Sequence, residues 1–229
     1  MKKNSIWIII FFVHLSISYA WHDLTHIAIG QLAGYEKAYN LAAPDVAKIK
    51  AGNIEQYNHY SNNNGINKVT SELVMNQIPK YNSDDINEEG GHLYGAIIGS
   101  IRNYLTETTS GKYAEFHLVY LGHYLGDLSN PLHNTQYDDF NKKRHSVNDG
   151  IVENEIFAHL VYLHTLEIDI KSEEDIIAEI VKLANYSMEL GGKMRIQNRN
   201  MNEEEAYLQI TRSASLFKGI LKWIQEKKN

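Results

Sequence analysis

The 229-residue sequence contains no cysteine. A disulfide therefore cannot stabilise the chain, and no thiolate can bind metal, so any metal site must use histidine, carboxylate or backbone ligands. The sequence also lacks an excess of positive charge, with 22 basic and 28 acidic residues and a net charge of −6 at pH 7. This balance argues against a nonspecific polyanion binder, which usually carries a basic stripe, although bound cations would reverse the sign locally.

Strand-like alternation of apolar and polar residues is missing as well, and the sequence has no internal repeat. Apolar residues recur instead at intervals of three or four, most clearly between Ile210 and Ile224, and this period is typical of helices. Further helical patterns cover residues 70–76 and 95–105. The sequence therefore predicts an all-α fold, a single-domain multi-helix bundle.

Local patterns predict where the C-terminal helices begin and end. Ser172 with Asp175 resembles a capping box, and Asn202 with Glu205 predicts the start of the last helix. Between them, Gly191-Gly192 predicts the end of a helix, because glycine is common just after the last helical residue.

Residues 1–20 have the pattern of a secretory signal peptide. Lys2 and Lys3 precede an apolar run over residues 6–17, and Ser18-Tyr19-Ala20 places small residues where a signal peptidase reads. The run is shorter than the ~20 apolar residues that span a bilayer. We therefore expect cleavage after Ala20, a functional domain of residues 21–229, and a secreted or periplasmic location.

The stretch HLVYLGHYLGDLSNPLH contains the first group of metal-binding residue types. The apolar segment over residues 116–128 has no proline and predicts a buried helix, on which His123 and Asp127 share one face. Asn130-Pro131 should end this helix and turn His133 towards that face. Imidazole and carboxylate at this spacing suit a divalent ion, most simply zinc, but a core helix with two satisfied polar groups fits the same pattern.

A second His-x-x-x-Asp pair consists of His145 and Asp149. It follows a polar segment, residues 137–144, that predicts a loop. The pair would then lie at the front of an apolar helix that continues to Leu166.

Three more candidates lie nearer the N-terminus. His26 lies near the start of a helix predicted over residues 21–33, and Asp45 follows Pro44 at a helix opening. His59 lies in a polar loop predicted over residues 58–67. Each has a simpler explanation, since Asp45 could merely favour the helix dipole and His59 could be a surface residue.

The strings HYLGDLSNPLH and HSVND, with Trp21 after the predicted cleavage point, resemble the superfamily of zinc-dependent phospholipases C and single-strand-specific zinc nucleases. The resemblance runs from Trp21 to about Phe157, and the later helices match only in kind. It implies an all-helical domain with a trinuclear zinc cleft.

The resemblance also implies which residues bind the three ions. The first zinc would be bound by Asp45, His59, His123 and Asp127. The second would be bound by the amino group and carbonyl of Trp21 and by His26, and would share Asp127 with the first. The third would be bound by His133, His145 and Asp149. A dication can hold a terminal amine neutral and ligating at neutral pH, so removal of the signal peptide would create this ligand.

The chemistry implied is hydrolysis of a phosphodiester. Two zinc ions bridged by Asp127 would hold a hydroxide that attacks phosphorus in line, and the third would stabilise the departing oxygen. Asp45 is the candidate for orienting or deprotonating the attacking water.

Two substrate classes are implied. The absence of cysteine, the small size, Pro44-Asp45 and the acidic charge favour a phospholipase C, which releases diacylglycerol and a phosphorylated head group. Asp149, where the phospholipases carry glutamate, and the short step from Trp21 to His26 favour a nuclease or nucleotidase. The expected substrate is a phospholipid at a membrane surface, or single-stranded nucleic acid under the alternative, with no obligate protein partner.

Tyr57, Tyr60 and Asn62 are the candidate substrate-binding residues. Tyrosine faces would attract a quaternary ammonium head group. In a nuclease, Tyr60 would stack on a base and Asn62 would read its edge.

A third hypothesis is an exported helical protein that binds or buffers zinc without catalysis.

Overall fold

Helices account for the regular structure in this computed structural model, which describes residues 21–83, 89–106 and 112–228. The α-helices of these ranges are α1 (Asp23–Leu32), α2 (Ala43–Ala51), α3 (Asn53–Gln56), α4 (Ser71–Gln77), α5 (Leu93–Thr106), α6 (Lys112–Ser129), α7 (Asp139–Asp149), α8 (Ile156–His159), α9 (Glu173–Ile196) and α10 (Glu203–Lys228). Short 3₁₀-helices cover Ala38–Ala42, Tyr57–His59, Ile78–Lys80, Pro131–His133 and Leu160–Tyr162. The predicted all-α, single-domain bundle is confirmed, and the predicted signal peptide lies outside the described residues.

Helix α6 lies at the centre of the bundle, with α5 and α10 packed against it. Its leucines Leu121, Leu125 and Leu128 are fully buried in the larger apolar core. His123 and Asp127 on the same helix are also fully buried, as the sequence predicted for this segment. Polar groups at such depth need a hydrogen-bond partner or an ion.

The predicted helix starts in the C-terminal third are confirmed. Ser172 accepts a hydrogen bond from the backbone N–H of Asp175, whose carboxylate accepts one in return from the N–H of Ser172. Asn202 and Glu205 make the same reciprocal pair. These caps satisfy N–H groups that have no partner inside the helix.

The helix end predicted at Gly191-Gly192 is wrong, because α9 continues to Ile196. Gly191 is buried against the turn before α7, where a Cβ atom would lie 2.7 Å from Cγ2 of Thr135. The glycine therefore allows close packing inside the helix. The chain reverses instead at Asn198, whose φ of 48° lies in the left-handed region.

The loop predicted over residues 137–144 is also wrong, because α7 begins at Asp139. Asp138 caps it by accepting a hydrogen bond from the N–H of Asn141, and the Asn141 side chain binds the carbonyl of Leu132 at 2.7 Å. His145 and Asp149 therefore lie in the last part of α7, and the helix predicted to continue to Leu166 ends at Asp149. Polar tertiary contacts stabilise α7, and an apolar period cannot reveal them.

Within the described ranges, no helix is long and apolar enough to cross a bilayer.

Candidate metal centre

The residues predicted as side-chain metal ligands form three buried groups. Within each group, the candidate ligand atoms lie within 4.8 Å of one another. The groups are His26, His123 and Asp127; Asp45, His59 and His123; and His133, His145 and Asp149. Because His123 belongs to the first two, we call those together the bridged group, and the last one the third group.

The half of the bridged group that contains Asp45, His59 and His123 brings together α2, the 3₁₀-helix Tyr57–His59 and α6. The Nδ1 atom of His59 lies 2.9 Å from Oδ2 of Asp127 and 3.1 Å from Nε2 of His123. Oδ1 of Asp45 lies 3.7 Å from the same Nδ1 atom and 3.6 Å from Nε2 of His123. The four residues predicted for one zinc therefore converge, and the surface interpretation of His59 is wrong, since it is 2% exposed.

His26 forms the other half of the bridged group. Its ring stacks on His123 with centroids 3.8 Å apart, and its Nε2 atom lies 3.5 Å from Oδ1 of Asp127. Gly126 permits this approach, since a Cβ atom there would lie 2.5 Å from Nδ1 of His26. Oδ2 of Asp127 faces His59 and Oδ1 faces His26, as a carboxylate shared between two ions would require.

The third group is built by α7 and the 3₁₀-helix Pro131–His133. The Nε2 atoms of His133 and His145 lie 3.0 Å apart, and Oδ2 of Asp149 lies 3.7 Å from Nε2 of His145. The other carboxylate oxygen of Asp149 accepts a hydrogen bond from the side-chain amide of Asn130 at 2.9 Å. Asn130 therefore ends α6 and also positions a residue of the third group.

Three of the imidazole rings are oriented in one way. Their Nδ1 atoms hydrogen-bond to protein oxygens: His123 to the carbonyl of Leu41 at 2.6 Å, His133 to the carbonyl of His59 at 2.5 Å, and His145 to Oδ1 of Asn141 at 2.6 Å. Their Nε2 atoms then face the centre of each group. Such outer hydrogen bonds fix the tautomer and orientation of metal-binding histidines.

Glu55 was missed by the sequence analysis. Its Oε1 atom lies 3.1 Å from Nε2 of His59, one helical turn later, and also accepts a hydrogen bond from the Tyr124 hydroxyl at 2.8 Å. The side-chain amide of Asn58 donates to its other oxygen at 3.2 Å. The spacing of four from His59 was a usable signal, but only for a helical segment.

Lys48 was missed as well, although it lies one turn after Asp45 on α2. Its Nζ atom lies 2.6 Å from Oδ1 of Asp45. Burial alone would raise the pKa of Asp45, but the nearby His123, Lys48 and His59 outweigh it and hold this pKa below its usual range. Asp45 is therefore an ionised carboxylate beside a lysine ammonium.

Trp21 is fully buried beside the other candidate ligands. Its indole Nε1 donates a hydrogen bond to the Ser129 hydroxyl at 3.0 Å, and the N–H of His22 donates to the carbonyl of Asp149 at 3.2 Å. The Trp21 indole thus binds to α6, and the backbone of the next residue binds to the last residue of α7. Ligation by the amine and carbonyl of Trp21 stays a prediction, and the indole contributes a hydrogen bond as well as packing.

A cleft of about 670 Å³ leads to both groups. The predicted substrate-binding residues Tyr57, Tyr60 and Asn62 all line it, together with His59 of the bridged group and His133 and His145 of the third group. The side chain of Asn62 donates a hydrogen bond to the carbonyl of Glu89 at 2.9 Å. The other lining residues are Lys48, Ile49, Asn53, Gln56, Glu89, Leu132 and Tyr137.

No protein-family model matches this chain, and no curated protein matches it either.

The chemistry of the two groups fits metal ions. Within the described structure, both ring nitrogens of His26, both oxygens of Asp127, and one oxygen each of Asp45 and Asp149 are buried without a well-aligned hydrogen bond. Buried polar atoms are almost always satisfied. Four of these six atoms, namely Nε2 of His26, both oxygens of Asp127 and Oδ2 of Asp149, face other ligand atoms of the groups. The three buried His/Asp groups could therefore bind metal ions.

Proposed function

We propose that this protein is a zinc-dependent phosphodiesterase with phospholipase C activity. The observation that carries the proposal is that three buried His/Asp groups with unsatisfied ligand atoms lie together, beside a cleft that His59, His133 and His145 line. Two such groups joined by a common carboxylate are the arrangement used to clamp a phosphodiester for in-line displacement.

Zinc is the ion that best suits these ligands. Each group combines imidazole nitrogens with carboxylate oxygens, and zinc accepts both in a four-coordinate site. Calcium and magnesium prefer all-oxygen ligands, so three imidazoles at the bridged group argue against them.

The roles of the protein residues follow from their positions. Bound zinc would lower the pKa of water to about 7 and stabilise charge on phosphate oxygens. Asp127 would hold the two halves of the bridged group together. Asp45 is ionised and has a low pKa, which makes it a weak proton acceptor, so we assign it metal binding and orientation of the attacking water. Lys48 lines the cleft and supplies a positive charge for the substrate phosphate.

Exposed apolar residues that line the cleft support a phospholipid as substrate. Ile49 on α2 is 57% exposed, and Tyr137 before α7 is 46% exposed. Ile49 and Tyr137 line the cleft itself, on the sides of the bridged and third groups respectively. Exposed apolar side chains around a site favour contact with a lipid surface over contact with a polyanion.

A nuclease remains the second candidate, because Tyr60, Asn62 and Leu132 line the cleft together. An aromatic ring and an apolar side chain could hold a base, and the amide of Asn62 could bind its edge.

The test compares substrates with purified protein that begins at Trp21 and is loaded with zinc. Turnover of phosphatidylcholine, phosphatidylglycerol, single-stranded DNA and a small chromogenic diester is measured side by side with metal content. Turnover of lipid above DNA supports the proposal, and the reverse favours the nuclease. Three bound ions with no turnover of any diester would leave the non-catalytic zinc-binding hypothesis.

A further inference from the structure

We propose that Glu55 is a positioning residue that makes Nδ1 of His59 the metal-facing atom and strengthens it as a ligand. The inference rests on metal binding at the bridged group, as does the proposed function, but it does not depend on which diester is the substrate.

His59 is oriented differently from the other hydrogen-bonded rings of the two groups. His123, His133 and His145 use Nδ1 for the outer hydrogen bond and direct Nε2 inward. In His59 the Nδ1 atom faces Asp127 and the Nε2 atom faces Glu55. A reversed ring requires an acceptor at Nε2, and the carboxylate of Glu55 is that acceptor.

The chemical nature of this acceptor also differs. The other three rings hydrogen-bond to a neutral carbonyl or amide oxygen, whereas Nε2 of His59 hydrogen-bonds to the carboxylate of Glu55. A carboxylate partner increases the basicity of a metal-bound imidazole more than a neutral oxygen does. His59 should therefore be the strongest imidazole ligand at the centre.

Glu55 is itself held in place from two elements. It is 5% exposed and receives hydrogen bonds from Tyr124 on α6 and from Asn58 on the 3₁₀-helix Tyr57–His59. Both donors are neutral, so they orient the carboxylate without cancelling its charge. Because Tyr124 directly follows His123, the same contact fixes the segment that carries His59 against the helix that carries two other ligands.

The decisive variant is Glu55→Gln, which keeps an acceptor for Nε2 and removes the charge. Glu115→Gln is the matched control, because the Glu115 carboxylate also accepts a tyrosine hydroxyl, from Tyr35 at 2.9 Å, outside the metal centre. Both proteins are compared by circular dichroism, zinc content, and zinc affinity in competition with a chelator. Outer-sphere losses typically lower metal affinity about 10- to 100-fold, and we expect that loss for one ion in Glu55→Gln alone.

A second readout reports the orientation of the ring directly. Nitrogen-15 NMR of the zinc-loaded wild type should show His59 bound through Nδ1 and protonated at Nε2, with the opposite pattern for His123. Binding of His59 through Nε2, or wild-type zinc affinity in Glu55→Gln, would overturn the proposal.

Tyr124→Phe provides a test that leaves both His59 and Glu55 in place. It removes only the hydroxyl that orients the carboxylate, and we expect a smaller loss of zinc affinity, about tenfold or less. Unchanged affinity in both Tyr124→Phe and Glu55→Gln would reduce Glu55 to a structural residue. These readouts separate the two proposals, because a protein with no diesterase activity would still show the affinity loss and the Nδ1 binding.

Discussion

The bridged group and the third group use the same residue types, but their carboxyl groups favour different protonation states. Burial raises the pKa of Asp127, yet His123 and His133 outweigh it and hold this pKa well below its usual range. At Asp149, burial raises the pKa well above the usual value, and the hydrogen bond from Asn130 compensates only part of this effect, while nearby Asp127 raises the pKa further. Burial also lowers the pKa of both His133 and His145.

The histidines of the bridged group are also unequal. Burial lowers the pKa of His26 to about 4, with His123 adding to the effect. For His59, burial acts in the same direction, but hydrogen bonds to Asp127 and Glu55 outweigh it and raise the pKa to about 9. Without metal, the carboxylates of the bridged group thus favour the ionised form, whereas the carboxyl of the third group and its two imidazoles favour their neutral forms.

The difference indicates an order of metal affinity. Two unit charges 4 Å apart have an interaction energy of about 4 kcal/mol at an effective dielectric constant of about 20. Two ionised carboxylates therefore attract a dication more strongly than one protonated carboxyl does. Metal binding at the third group must also displace the proton of Asp149. We therefore expect the bridged group to bind its ions more tightly than the third group.

The largest expected effect comes from Asp127→Asn, which tests whether the bridged group is one unit. Losing an outer-sphere partner alone lowers activity about 10- to 100-fold, so loss of a ligand shared by two ions should lower diesterase turnover more than about 100-fold. At least one zinc ion should be lost, as measured by elemental analysis. Full metal content with full turnover would end the bridged model.

The next largest effect concerns Trp21, whose predicted ligation would complete the bridged group on the side of His26. One extra methionine before Trp21 converts its amine into an amide, a far poorer zinc ligand. The extra residue leaves the Trp21 indole and its hydrogen bond to Ser129 in place, so we expect the fold to be retained. Because Trp21 is fully buried, circular dichroism must show this retention before a loss of zinc is assigned to the lost ligand. The extended protein should bind one zinc fewer and lose most of its turnover.

The control for that experiment is Trp21→Phe, which keeps the amine and removes the hydrogen bond to Ser129. It should cost more than the ~1 kcal/mol typical of one hydrogen bond, because replacing the fully buried indole by a smaller ring also leaves a cavity, with metal content unchanged. A methionine-extended protein with full metal and turnover would remove Trp21 from the ligand set.

A smaller effect is expected at the third group. Asp149→Asn and His145→Ala should each remove one zinc ion and leave the bridged group loaded. A metal ion at a leaving oxygen is worth several kcal/mol, so turnover should fall about 100-fold. Chelator titration of the wild type should release this ion first, and simultaneous release of all ions would contradict the order of affinity.

The smallest effect separates the two groups in the metal-free protein. The pKa of Asp149 is raised in the folded state, so its contribution to the free energy of unfolding is favourable at low pH and is lost as pH rises. The pKa of Asp127 is lowered, so its contribution is favourable at high pH and is lost as pH falls. At pH 8, Asp149→Asn should therefore stabilise the metal-free protein by at least about 1 kcal/mol, the value of one pKa unit. Asp127→Asn should destabilise it by a similar amount.

Thermal denaturation at pH 8 and pH 5 measures both changes, with the chelator present throughout. The gain from Asp149→Asn should shrink at pH 5, because the wild-type carboxyl is then closer to protonated in both states. Equal signs for the two variants at pH 8 would show that the groups do not differ in charge state.

The sequence by itself determined the parts of the site that depend on one helical turn. His123 with Asp127, and His145 with Asp149, share a face because residues four apart do so on any α-helix. The helix start at Ser172 was equally predictable, since a cap involves only its own three following residues.

Only the tertiary structure decided the rest. Helix α9 continues through Gly191, where the missing side chain lets the helix pack closely against Thr135. Helix α7 forms because its polar side chains bind segments outside the helix. The carboxylate of Glu55 contacts Nε2 of His59, and His59 lies in a segment that the sequence predicted as a loop. The charge states of Asp127 and Asp149 differ because burial acts on both, but nearby imidazoles compensate it only at Asp127, and that proximity is set by how the helices pack.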